Sequence, residues 1–147
     1  MQTDFPPKVA EILHNFERSG YQIYIVGGVV RDLLLKRSPG DWDFTTDATP
    51  QQILELYPDG FYNNDFGTVG IADDVLDKPY EITTFRTEHG YSDKRRPDKV
   101  SWGKTLEEDL GRRDFTVCAI ALNAAGKIID PHAGQEDLQK KIVRTVG

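Results

Sequence analysis

The chain has 147 residues, 38% of them hydrophobic and 10% aromatic, so it can bury one sizeable core and is not a disordered polymer. Its 24 acidic and 18 basic residues leave a net charge of −6, which excludes a simple electrostatic sponge for nucleic acid, although basic residues can still cluster locally. The single cysteine, Cys118, excludes an intramolecular disulfide framework and any multi-cysteine zinc site. No apolar run approaches the ~18 residues of a membrane span. The N-terminus, MQTDFPPKVAEIL, lacks the basic-then-apolar pattern of a secretory signal. A cytoplasmic protein with no membrane partner is the expectation.

In chain order, Val9, Ile12, Leu13 and Phe16 recur at helical spacing and predict a helix over 7–19, stopped by Gly20. YQIYIV at 21–26 reads as a strand, and Gly27-Gly28 turns it sharply into the helix VVRDLLLKR. Ser38-Pro39-Gly40 ends that helix, and DWDFTT at 41–46 reads as a second strand. Thr49 as N-cap and Pro50 at the first helical position open another helix, with Ile53, Leu54 and Leu56 behind them. FGTVGIA at 66–72 and YEITTF at 80–85 predict two more strands joined by a turn at 73–79. From Thr87 to about Trp102 the chain is polar and aperiodic, and it carries the basic cluster Lys94, Arg95, Arg96 and Lys99; a loop of that length is usually functional or disordered. Residues 105–122 read as helix, in one or two pieces, 127–130 as a short strand and 137–143 as a last short helix. Helices interleaved with strands in this order predict an α/β (α+β) domain: one mixed sheet of about five strands, flanked by helices.

Four groups of residues could carry chemistry. Gly27 and Gly28 let the backbone approach a ligand with no Cβ in the way, and Arg31 lies about one turn further on, within reach of the same anion. Taken alone, the pair reads first as a tight strand-to-helix turn, because glycine turns are common. Asp41 and Asp43, at i and i+2, fall on one face if both lie on a strand, and two carboxylates so placed can hold a hard divalent cation. Taken alone they also fit two surface acids. Glu81, in an otherwise apolar and β-branched strand, either faces water or shares a cation; it becomes a ligand only if its strand neighbours that of Asp41 and Asp43. Arg112 and Arg113 have the planar, multi-donor groups that recognise phosphate. At the start of the helix VCAIAL they would oppose its dipole; the plainer alternative is pairing with Glu107, Glu108 and Asp109 just upstream. His14, His89 and His132 show no metal-ligand spacing, and Cys118 reads as a small core residue.

IVGGVVRDLLL, GDWDFTTDATP, EITTFR, LEEDLGRRDFTVCAIAL and IIDPHAGQEDLQKKIVRTVG follow one another in this order. Together they resemble the catalytic head domain of tRNA nucleotidyltransferases (CCA-adding enzymes) of the bacterial and eukaryotic type, and of the related bacterial poly(A) polymerases. The resemblance covers roughly residues 20–147 and implies a palm-like nucleotidyltransferase sheet. It implies metal binding and catalysis by Asp41, Asp43 and Glu81, with two Mg²⁺ ions. Gly27, Gly28 and Arg31 would lie near the triphosphate, and Arg112, Arg113 and Asp114 would contact phosphates and ribose. The implied partners are CTP, ATP and RNA, in particular the tRNA 3′ end. The implied reaction is template-independent transfer of a nucleoside monophosphate to a 3′-hydroxyl with release of pyrophosphate. Poly(A) addition and a non-catalytic nucleotide- or RNA-binding module are the alternatives.

The chain departs from the family pattern in two places. Cys118 stands where the family usually has Asn; at i+4 from Asp114 it shares a helix face with that acid, where an amide could orient Asp114 and a thiol would do so poorly. Residues 1–147 read as the head alone, without the family's base-reading neck or its body and tail domains.

Overall fold

The computed structural model describes residues 5–63, 67–72, 78–86 and 103–146. Helix α1 (Pro7–Arg18) presents Val9, Ile12, Leu13 and Phe16 to the core, as their spacing predicts, and all four are buried. It leads into β1 (Ile23–Val26), where alternate residues serve opposite faces of the sheet. Ile23 and Ile25 join the larger core with α1, whereas Tyr24 and Val26 face a second, smaller core formed with Phe85, Leu106, Leu110, Ala119 and Ala121.

Helix α2 (Gly28–Leu34) anchors through Val29 and Val30 and returns the chain to β2 (Asp43–Thr46). Helix α3 (Pro50–Leu56) starts with a complete capping box: Thr49 Oγ1 accepts from the Gln52 N–H and Gln52 Oε1 accepts from the Thr49 N–H. Strands β3 (Phe61–Asn63), β4 (Thr68–Ile71) and β5 (Tyr80–Thr84) follow. Helix α4 (Leu106–Gly111) has its own capping box, between Thr105 and Glu108. The chain closes through a single 3₁₀ turn at Thr116–Cys118, β6 (Ala121–Leu122), β7 (Ile128–Ile129) and α5 (Gly134–Gln139).

Among the described residues, the fold is a mixed α/β domain around a seven-stranded sheet in the order β3-β4-β5-β2-β1-β6-β7. Its pairs are antiparallel except β2 and β5, which run parallel at the centre. The sheet therefore exceeds the expected five strands by β3 and β6. The predicted helix over 105–122 ends at Gly111; the apolar run AIAL instead feeds β6, which is buried between β1 and β7. Asp114 and Cys118 consequently do not share a helix face, and Cys118 sits half-buried in the 3₁₀ turn. Helix α5 begins ahead of the predicted start at Asp137, because the Asp130 carboxylate accepts from the N–H groups of Gly134 (2.7 Å) and Gln135 (2.9 Å). The loop expected at 87–102, with Lys94, Arg95, Arg96 and Lys99, lies outside the described residues, as does most of the turn at 73–79.

Candidate active site

At the end of β1, Gly27 takes φ 83° and ψ −150°, a conformation open essentially to glycine alone. It turns the chain directly into α2 and lays the backbone against β2: a Cβ on Gly27 would stand 3.6 Å from Asp43 Oδ2. At Gly28 a Cβ would stand 3.4 Å from Arg31 Nη2, so the guanidinium folds back across the glycine pair. Arg31 also pairs with Asp32 at 3.6 Å, and its buried Nε has no hydrogen-bond partner among the described residues.

Trp42 and Phe44 are buried in the larger core, which turns Asp43 to the opposite face of β2. On β5 the same alternation buries Tyr80 and Ile82 and leaves Glu81 exposed. The parallel register of β2 and β5 sets Asp43 directly opposite Glu81. Two strands far apart in sequence thus bring two carboxyls side by side, close enough to hydrogen-bond when one is protonated. Burial, and then the Glu81 charge, push the Asp43 carboxyl up to about 6, against the opposing pull of the nearby Arg113 guanidinium. Asp41 precedes β2 rather than lying on it, so strand alternation does not aim its side chain. Its carboxylate stands at the rim, 3.4 Å from Lys78 Nζ. Asp41, Asp43, Lys78, Pro79 and Glu81 line one cleft of about 360 Å³.

The arginine pair occupies the C-terminal end of α4, with Arg112 as its C-cap, and not the start of a helix. Cations are favoured there, so the conflict with a helix dipole expected from the sequence does not arise. Asp109, fully buried, pairs with Arg112 Nε at 3.2 Å and with Arg113 Nη2 at 3.0 Å. Burial lowers the Arg113 pKa, while Asp109 and Asp43 act to raise it. Asp114 is exposed; its backbone carbonyl accepts from the Val146 N–H, and no described contact ties its carboxyl to the acids.

The structure therefore gathers Asp41, Asp43 and Glu81 around one cleft, sets Gly27 against Asp43 and brings Arg113 to the same acid. Among the described residues, no group of three or more Asp, Glu, His or Cys side chains is placed to hold a metal ion. The Asp43–Glu81 pair supplies two crowded, hard oxygen donors, chemistry that suits Mg²⁺. Lys78 and Pro79 escaped the sequence reading because nothing local marks them. The spacing of Asp109 to the two arginines, i+3 and i+4, suggested pairing but not burial.

Known proteins resemble this chain in sequence and in fold. The CCA-adding enzyme of Geobacillus thermodenitrificans (strain NG80-2) is 47% identical over 137 residues, which are 92% of this chain and 33% of that protein. The crystal structure of Bacillus stearothermophilus CCA-adding enzyme in complex with CTP is 39% identical, with a TM-score of 0.83 over 97% of this chain and 34% of that one. A tRNA nucleotidyltransferase complexed with a primer tRNA and an incoming ATP analog is 31% identical, with a TM-score of 0.71 over 95% of this chain and 39% of that one. The chain spans about a third of the length of the curated relatives it matches. No helix among the described residues is long and apolar enough to cross a membrane. The family model described as the poly A polymerase head domain matches residues 23–144, and with most of its length so matched the chain belongs to that family.

Proposed function

We propose that residues 1–147 act as the head of a template-independent RNA nucleotidyltransferase in the cytosol. Its reaction is transfer of CMP and AMP from CTP and ATP to the 3′-hydroxyl of tRNA, with release of pyrophosphate. The observation that carries this reading is the register of Asp43 opposite Glu81, abutting the Gly27 turn and within the field of Arg113. The relatives support the substrate class: one is solved with CTP, another with a primer tRNA and an ATP analog.

Asp43 and Glu81, with Asp41 at the rim, are the residues that would hold Mg²⁺. When bound, Mg²⁺ supplies neutralisation of phosphate charge and activation of an attacking oxygen. The chain's own contribution is positioning. The glycine turn lets phosphate oxygens approach the backbone without meeting a side chain. Arg31, Arg112 and Arg113 offer planar donors to the triphosphate, and Asp114 is the candidate ribose contact. Fixed charges of this kind act in the transition state without reorganising, so the protein has little covalent work to do.

The test is incorporation of labelled CTP or ATP into an RNA primer by the wild type and by the Asp41→Ala/Asp43→Ala double variant. Loss of Mg²⁺-dependent incorporation is expected; a double variant as active as the wild type refutes the assignment. The description of the matched family favours one rival within this class, poly(A) addition. Sequencing the added tails separates them: C and A residues support the proposal, A alone supports the rival.

A further inference from the structure

Asp109 is fully buried on α4. An ionised carboxylate out of water is costly unless every oxygen is paired. Among the described residues, three donors pair it: the Arg86 N–H at 3.0 Å and Arg112 Nε at 3.2 Å on Oδ1, and Arg113 Nη2 at 3.0 Å on Oδ2. One acid thus holds two adjacent guanidiniums that repel each other, and ties them to the residue following Phe85, just beyond the strand that carries Glu81. Asp109 offsets one of the two positive charges and occupies only part of their donor set. Arg113 Nε is buried and without a hydrogen-bond partner among the described residues, and Arg113 lies within the field of Asp43. Positive charge fixed in direction by Asp109 therefore lies within the field of Asp43 through Arg113. Such an array suits a polyphosphate, whose oxygens accept several planar N–H groups at once.

We propose that Asp109 is a positioning residue for nucleotide binding: its carboxylate holds Arg112 and Arg113 in the orientation that receives the triphosphate. This rests on the nucleotidyltransferase reading above. It differs from a purely structural role for Asp109 in one respect: polyphosphate affinity depends on Asp109 only through the two arginines.

The experiment is calorimetric titration of the full chain with inorganic tripolyphosphate in Mg²⁺ buffer. Four proteins are compared: wild type, Asp109→Asn, Arg112→Gln/Arg113→Gln, and the combination of all three changes. Asparagine keeps the volume but turns an amide donor toward a guanidinium. Asp109→Asn is expected to weaken binding about 10-fold, the effect of losing one charge-assisted hydrogen bond. In the arginine-less background the same change should add less than about 2-fold, because the interacting partners are already gone. A folded Asp109→Asn protein that binds like wild type overturns the proposal. So does an equal loss in both backgrounds, which is the signature of a general structural role. If Asp109→Asn does not fold, Arg113→Lys decides: it keeps the charge and loses the fork, and wild-type affinity in that variant overturns the proposal. A wild type that binds no tripolyphosphate overturns the nucleotidyltransferase reading together with it, an outcome distinct from binding that ignores Asp109.

Discussion

Asp43→Asn removes a carboxyl whose ionisation the fold resists. In the unfolded chain this acid titrates near 3.8, and in the folded chain at about 6. Between those values the folded state keeps a proton that the unfolded state has released, so stability falls as pH rises through the window. Below it both states are protonated and no penalty exists; above it the penalty is complete. At 1.36 kcal/mol per pH unit the displacement amounts to about 3 kcal/mol. For a chain of this length that corresponds to roughly 6–12 °C in Tm. The assay is thermal denaturation followed by circular dichroism between pH 4 and 8 in EDTA, for wild type and variant. The Tm difference, variant minus wild type, should start near zero at pH 4 and grow to its full value above pH 6. Mg²⁺ added at pH 8 should raise the wild-type Tm and leave the variant's nearly unchanged, because a ligand stabilises only the state that binds it. A difference that stays flat from pH 4 to 8 refutes the crowding of the two acids.

Two further substitutions test the backbone that carries the site. Gly27→Ala forces a side chain into a glycine-only conformation beside Asp43, and a loss of roughly 1–3 kcal/mol is expected from the urea midpoint; an unchanged midpoint refutes the strain. At Gly134 a Cβ would overlap the Thr116 carbonyl, which is backbone and cannot swing aside, and it would also meet Ile120 Cδ1. Gly134→Ala should therefore cost about 3 kcal/mol in the same measurement, whereas a tolerated alanine would show that α5 does not pack against the 3₁₀ turn.

What the sequence reveals depends on how local the cause is. Helix α1 and the Thr49-Pro50 start of α3 are set by spacing and capping within a few residues, and both form where predicted. Strand β3 is only three residues long, too short for alternation to register. The run AIAL is apolar throughout, and such a run cannot be told as strand or helix by periodicity; its burial between two strands decides the matter. The same division governs the site. The Gly27 turn is legible because positive φ demands glycine. That Glu81 faces Asp43 follows from a long-range pairing that no local pattern encodes. The direction of Asp41 depends on where β2 begins, a single-residue matter below the resolution of pattern reading. The burial of Asp109 is likewise a tertiary fact.

The parallel union of β2 with β5 also has a kinetic side. The chain between them must travel through α3, β3 and β4 before the two central strands meet. Closing that excursion is entropically uphill until the contacts form, so this junction should assemble more slowly than the local β3–β4 and β4–β5 pairings. During synthesis, no acid pair exists until Glu81 has emerged and docked. Nascent or partly folded molecules therefore lack the cleft between these acids, and hydrogen exchange at the β2–β5 amides should report the opening event that separates Asp43 from Glu81.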